Sequence, residues 1–302
     1  MRGGSPNSAW ARQRNMSRNH SANGSRSDQP RAGSLVYEEH RPPPDLVPWV
    51  ACFWQITGAS ADDSPVSHRV LPDGCADLLF DIDSIRHRGG AAADLIGPMS
   101  NAQVFELRGA IDLLGVRFRP GVIGALTGIP ADRLLDTTAP ISELPSPLRI
   151  GVAELADLEN FSGQSKLLID ACRARLAALN QPDPVVRQAL TRWADAESAE
   201  FPTITVLTRD LGLSERAFER RFVAQVGLTP VRYRRLARFR SVLRLHARGV
   251  RDWSALAATT GFSDQSHLVR DCRAFSGLTP TEWAATQAGC AGFLQDGEVT
   301  TL

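Results

Sequence analysis

The chain has 302 residues, of which 43 % are hydrophobic and 22 % charged, with a formal net charge of +1 at neutral pH. That length predicts two domains and a tail rather than one core. There is no apolar run of membrane-spanning length and no apolar stretch of a signal peptide at the N-terminus, so a cytoplasmic protein without a membrane partner is expected.

The small net charge conceals a division along the chain. Residues 35–180 hold 12 basic against 19 acidic side chains, a net of −7, whereas residues 184–286 hold 16 against 10, a net of +6. Only the second half has the balance of a polyanion binder, and it is sharpest in 214–251, where 11 arginines meet only Glu215 and Glu219. The five cysteines, at 52, 75, 172, 272 and 290, are odd in number and form no Cys-x-x-Cys pair. Buried reduced thiols are expected rather than a disulfide framework or a zinc ribbon.

Residues 1–33 carry serine, asparagine, glycine and arginine with almost no apolar partners, which predicts a disordered tail, with Met16 an alternative start. From residue 34 to 179 the texture changes. Val50 to Ile56 alternates as a strand does, and Pro72-Asp73-Gly74 forms a turn opening onto an apolar strand from Leu78 to Ile82. Phe105–Arg108 and Ile111–Pro120 predict further strands separated by a turn at Gly109. Gly121–Leu126 reads as helical, Arg133–Leu144 as a loop with short turns, and Leu155–Leu179 as a longer helix closing the domain. The two prolines within 180–184 predict a short linker.

Residues 185–286 open with a helix whose Val186, Leu190 and Trp193 point inward, and then contain the same small unit twice. Leu207 to Ser214 leads into an amphipathic segment ending at Gly227-Leu-Thr-Pro230, and Leu256 to Ser263 leads into another ending at Gly277-Leu-Thr-Pro280. Gly212 and Gly261 stand where the first helix of each unit must stop in a left-handed conformation. Leu213 and Phe262 plug the angle between helices, and Ser214 and Ser263 are expected at the N-cap of the second helix. This is the sequence form of a helix-turn-helix. Between the units, Pro230 to Arg248 predicts one helix of about 27 Å, burying Tyr233, Leu236, Phe239 and Leu243 and exposing arginines around the rest. A rod of that size could hold two recognition helices roughly 34 Å apart, one duplex turn. The last residues, 287–302, are expected to fray.

In the second helix of the first unit, Phe218, Phe222 and Val226 share one face while Arg216, Glu219 and Arg220 lie opposite. In the second unit Leu268, Cys272 and Phe275 point inward and Gln265, Ser266, His267 and Arg270 outward. Arginine can bond guanine O6 and N7 together, and an amide can do the same for adenine N6 and N7. The bland alternative, a solvated helix face, suits one isolated copy better than two in tandem.

The paired units with Gly261-Phe-Ser-Asp-Gln-Ser-His267, Arg270 and Gly277-Leu-Thr-Pro280 resemble the DNA-binding domain of the AraC/XylS transcription regulators over about 184–285. The resemblance implies double-stranded promoter DNA as partner, with Arg216, Glu219, Arg220, Gln265, Ser266, His267 and Arg270 at base-facing positions. Ser214, Arg232, Arg234, Arg235, Arg238, Arg244 and Ser263 are the candidate phosphate contacts. Two positions depart from the family pattern, Cys272 for phenylalanine and Thr208 for alanine, and both face the core. Leu71-Pro-Asp-Gly-Cys-Ala-Asp-Leu78 and Gly115-Val-Arg-Phe-Arg-Pro-Gly121 resemble the cupin-like N-terminal domain of uncharacterised function that precedes some of these DNA-binding domains. That implies a sensory or oligomerising role, with a small-molecule effector, RNA polymerase and a second copy of the chain as further partners.

The expected fold class is α+β: a mostly-β, cupin-like N-terminal domain with closing helices, followed by an all-α domain of two helix-turn-helix units joined by a long helix. Arg69, Arg117 and Arg119 are candidates for an anionic effector, against the ordinary alternative of pairing with the surplus carboxylates. His68, Asp73, Cys75 and Asp77, with Cys52 and His40 upstream, read as structural, because no two-histidine-plus-carboxylate spacing appears. No catalytic residue, metal site or cofactor is expected. The rival reading is an enzyme whose N-terminal domain performs metal-dependent or repair chemistry with DNA binding as its address.

Overall fold

The computed structural model describes residues 35–60, 64–88, 93–143, 152–177, 179, 182–194 and 201–289. The expected tail at 1–33 and most of the C-terminal stretch lie outside them. The N-terminal half contributes strands β1 (Leu35–His40), β2 (Val50–Ala59), β3 (Val66–Val70), β4 (Ala76–Asp81), β5 (Ala93–Ile96), β6 (Gln103–Leu107), β7 (Ala110–Phe118) and β8 (Thr138–Pro140). Its helices are α1 (Ile82–Arg88), α2 (Ile123–Thr127), α3 (Ala131–Leu134), α4 (Val152–Asp157) and α5 (Phe161–Leu176). The mostly-β domain followed by an all-α domain is the α+β arrangement expected from the sequence.

Six strands form an antiparallel sheet in the order β1-β2-β7-β4-β5-β8, and β3 pairs with β6 in a separate ribbon. The strands on either side of Gly109 therefore do not pair with each other: β6 goes to the ribbon and β7 to the centre of the main sheet. The two-residue period sends neighbouring side chains to opposite faces. Phe53, Leu78, Phe80, Leu114, Val116 and Phe118 build one core under helices, including Leu168, Cys172 and Leu176 of α5. Trp54, Ile56, Leu79, Ile96 and Leu113 build the other, which Phe105 and Leu107 of the ribbon help to close. Two strands make a narrow lid for a six-stranded sheet, and that mismatch leaves a cavity.

Two expectations for this half are corrected. The segment 133–144 contains the end of α3, strand β8 and a short 3-10 turn at Ile141–Glu143, and its short elements lack the period of a longer helix or strand. The closing helix is two helices, because Asn160 starts a new one: its side chain accepts from the Gly163 N–H at 2.9 Å.

Among the described residues the regular elements of the C-terminal half are all helices: α6 (Pro184–Ala194), α7 (Ile204–Asp210), α8 (Glu215–Val226), α9 (Pro230–Ala247), α10 (Trp253–Thr259), α11 (Gln265–Ser276) and α12 (Pro280–Gly289). Pro184 opens α6 rather than ending a linker, as proline's fixed φ suits a first helical turn. Trp193 is fully buried, edge-on to Phe218 and Phe222 at 6.4 and 5.6 Å and tilted against Tyr233 at 5.9 Å. That aromatic group ties α6, α8 and α9 together. The helix α9 was expected to expose arginines around an apolar stripe, and here the sequence misleads. Ten of its residues are buried, including Arg238, Ser241 and His246, because helices pack around it and the arginine heads find carbonyls between them.

Candidate nucleic-acid interface

Helices α7 and α8 form the first helix-turn-helix and α10 and α11 the second, with α9 between them. Gly212 and Gly261 take φ of 65° and 75° at the two turns, the left-handed region that a side chain disfavours. Ser214 caps α8, accepting from the Ala217 N–H at 3.3 Å. Ser263 does not cap α11, contrary to the sequence reading. Asp264 does so, accepting from the His267 N–H at 2.7 Å, while Ser263 Oγ lies 3.1 Å from Asp264 Oδ2 and 3.2 Å from His267 Nδ1. The second turn is one residue longer, since Leu213 and Ser214 separate Gly212 from α8 but Phe262, Ser263 and Asp264 separate Gly261 from α11. The two helices therefore align from Gly227 and Gly277 backwards, which sets Arg220 opposite Arg270 and Phe222 opposite Cys272.

Arg216, Glu219 and Arg220 are exposed on α8, and Gln265, Ser266 and Arg270 on α11. His267 is half-buried, its ring edge-on to Phe262 at 5.1 Å. Gln265 Oε1 accepts from Ser254 Oγ at 3.1 Å, which orients the amide at the start of the helix. The inward faces are fully packed, with Phe218, Phe222 and Val226 under α8 and Leu268, Cys272 and Phe275 under α11. Thr208, the other departure from the family pattern, is buried and its hydroxyl donates to the Thr205 carbonyl at 3.2 Å.

The arginines of α9 make contacts within the protein. Arg238 is 7 % exposed, donates to the Gly261 carbonyl at 3.0 Å and stacks over Phe262. Arg235 pairs with the buried Asp271 at 2.7 Å, which raises its already high pKa. Arg234 donates to the Phe201 and Pro202 carbonyls, both at 3.0 Å, Arg232 to Ser100 and Asn101, and Arg244 to Ala194. These five arginines, expected at phosphates, make internal contacts at loop and helix-end carbonyls, at Asp271 and across the domain boundary. Charge count alone pointed outward, but a guanidinium on a packed helix satisfies carbonyls that would otherwise be orphaned. The exposed Arg209, Arg221 and Arg273 drew no attention in the sequence, and only the burial of their neighbours distinguishes them.

The N-terminal half grips both recognition helices at their C-terminal ends. Helices α2 and α3 pack on α8, where a Cβ on Gly227 would lie 2.9 Å from the Ala131 carbonyl oxygen. On the second unit, Arg69 of β3 donates to the Ser276 carbonyl at 2.8 Å and the Ala102 N–H to the Phe275 carbonyl at 2.8 Å. Tyr233 of α9 fits against Gly74, where a Cβ would approach Tyr233 Cε2 to 2.6 Å.

Of the three effector-site candidates, the structure brings Arg69 and Arg117 to one cavity, together with Arg240 of α9. Arg119 is elsewhere, donating to the Val47 carbonyl at 2.6 Å. Arg117 is buried among Asp77 at 3.2 Å, Glu39 at 3.6 Å and Asp73 at 3.7 Å. Burial alone would lower its pKa, but these carboxylates more than offset that, so it stays charged. Burial raises the Asp77 carboxyl, with Arg117 pulling the other way. Asp73 accepts from the Cys75 N–H at 2.8 Å, as the turn reading required. Burial pushes the Cys52 and Cys75 thiols up, and burial with nearby Arg117 takes His68 down to about 4. No three His, Cys, Asp or Glu side chains among the described residues could hold a metal ion.

Residues 207–286 match a family model described as a helix-turn-helix domain, and residues 38–140 match one described as a domain of unknown function (DUF6597). No curated protein matches. Among solved structures, a transcriptional regulator with an AraC-type DNA-binding domain from Chromobacterium violaceum is 24 % identical, covering 36 % of this chain and 96 % of that one, with a TM-score of 0.33. The C-terminal domain of the response regulator AraT from Geobacillus stearothermophilus is 14 % identical, with coverages of 38 % and 95 % and a TM-score of 0.33. ToxT from Vibrio cholerae is 11 % identical, with coverages of 86 % and 99 % and a TM-score of 0.38. No helix of the described residues is long and apolar enough to cross a membrane. With residues 207–286 matching a helix-turn-helix domain and the outer faces of its paired units exposed, the chain is a DNA-binding transcription regulator. It carries an AraC-type helix-turn-helix domain behind a mostly-β domain of unknown function.

Proposed function

We propose that α8 and α11 read promoter sequence, with Arg216, Glu219 and Arg220 on the first and Gln265, Ser266, His267 and Arg270 on the second facing base edges. The observation that carries this reading is the division of labour among the cations. Those of α9 turn inward to carbonyls and Asp271, while those at the outer faces of α8 and α11 remain exposed. In this reading the exposed Ser214, Ser263 and Arg209 meet phosphates and fix register. Arg270→Ala is expected to cost about 1–3 kcal/mol at the preferred site and to relax specificity there. Titration against the footprinted site and against unrelated DNA tests it, and equal losses on both would remove Arg270 from the reading set.

The N-terminal half is inferred to sense rather than catalyse, and to act in the cytoplasm. Its Glu39, Asp73 and Asp77 carboxylates are committed to internal partners, and burial raises its Cys52 and Cys75 thiols. Stoichiometric metal in the purified protein, required for turnover of any substrate, would favour the enzyme reading instead. A second copy of the chain and RNA polymerase complete the inferred partners, and sedimentation of the full chain tests the first of these.

A further inference from the structure

Each recognition helix begins with a residue held by a hydroxyl of the helix before it. In the first unit Thr205, the second residue of α7, donates through Oγ1 to Oε1 of Glu215, the first residue of α8, at 2.7 Å. In the second unit Ser254, the second residue of α10, donates through Oγ to Oε1 of Gln265, the first residue of α11, at 3.1 Å. The contact recurs although the second turn is one residue longer and both residue types have changed. All four side chains are exposed, so the bond serves no packed core. Its net contribution to stability is small, because water would satisfy the same groups. Its effect is to remove rotamers from a side chain at the tip of a helix that faces outward.

What the two bonds leave over is opposite in kind. A carboxylate has only acceptors, so with Oε1 engaged Glu215 presents its other oxygen, Oε2. An amide with its oxygen engaged presents its nitrogen, so Gln265 presents Nε2 as a donor. Neither Glu215 Oε2 nor Gln265 Nε2 has a partner among the described residues. In the major groove cytosine offers only a donor, its N4 amino group, whereas guanine, adenine and thymine each offer at least one acceptor.

We propose that Glu215 reads cytosine in the half-site of the first unit and that Gln265 excludes cytosine at the equivalent place in the second. Thr205 and Ser254 are the positioning residues that set which atom of each side chain meets the base. The inference rests on the assignment of α8 and α11 to promoter reading above, and adds to it a residue, Glu215, and a direction of hydrogen bonding. Phosphates repel a carboxylate, and a base amino group is what offsets that cost. An amino group set against Gln265 Nε2 would instead bury two donors without an acceptor. Two units of one pattern therefore do not read a repeated site.

The test selects DNA from a pool of random duplexes with the full chain, sequences what is retained, and titrates the selected duplex with each base pair substituted in turn. The expected site contains a cytosine whose replacement weakens binding about ten-fold and which gives way to guanine, adenine or thymine in Glu215→Gln. Thr205→Val should lower the preference at that position alone, and Thr205→Ser, which keeps the hydroxyl, should retain it. Gln265→Glu should bring in a second preferred cytosine. Loss of fold cannot mimic these outcomes, since it weakens every duplex alike. Selection of no sequence at all would remove the promoter reading and this inference together. A defined site whose bases are all unchanged in Glu215→Gln, a cytosine preference undiminished in Thr205→Val, or no new cytosine in Gln265→Glu would overturn this inference alone.

Discussion

The two helix-turn-helix units share a pattern and are held by different forces. The first rests on volume: Trp193, Phe218, Phe222 and Tyr233 interlock, and α2 and α3 lie against α8 with glycine at the closest approach. The second adds directional polar contacts to the packing of Leu256, Phe262, Leu268 and Phe275. Cys272 stands at the position of Phe222, and the deficit in apolar bulk is accompanied by the Arg235–Asp271 pair, Arg238 on the Gly261 carbonyl and Arg69 on the Ser276 carbonyl. Packing is non-directional and insensitive to pH or ligands, whereas an arginine on a carbonyl can be drawn away by a stronger acceptor. The two units therefore differ in how much of their hold is polar.

The contrast between the units breaks most readily where their packed volumes differ most. Phe222→Ala should cost about 3–5 kcal/mol of stability and Cys272→Ala only about 1 kcal/mol, measured by urea unfolding of the full chain. Similar losses at the two positions would mean that both units depend equally on bulk. Arg238→Ala should cost about 1–3 kcal/mol by leaving the Gly261 carbonyl unsatisfied and should leave the salt dependence of DNA binding unchanged. Arg209→Ala should do the reverse, lowering the salt slope by about one; a reduced slope for Arg238→Ala would return that arginine to the DNA surface.

The caps sharpen the contrast at smaller scale. Ser214→Ala should cost about 1 kcal/mol, read as a fall in Tm with no dependence on pH. Asp264 behaves differently, because the His267 N–H, with help from the Ser263 hydroxyl, holds its carboxyl below the ordinary value of 3.8. Its contribution is complete above 3.8 and is lost as pH falls through the depressed value. Exchange at the start of α11 should therefore rise in acid below 3.8, and Asp264→Ser, which copies the first unit's cap, should abolish that rise. A rise unchanged in Asp264→Ser would assign it to another carboxylate.

Local chemistry was legible wherever backbone rules decide it. The turn glycines, Ser214 as a cap, Pro230 opening the connecting helix and the buried stripes of α8 and α11 all follow from spacing. The extra residue in the second turn was also visible, as the distances from Gly212 to Gly227 and from Gly261 to Gly277 differ by one, yet the repeated serine drew attention away from the aspartate beside it. Short elements such as α3 and β8 were not legible, since a single turn or three residues leave no period to detect.

The chain's own order of residues was enough to specify two helix-turn-helix units, a connecting rod, a β-rich partner and the outward faces of α8 and α11, because helical period and turn stereochemistry are local. Which arginines stay exposed, which hold carbonyls, and whether Arg69, Arg117 and Arg119 share a site depended on the packing of distant segments. A guanidinium is the same in either role, and its partner is decided only when residues far apart in the chain are brought together.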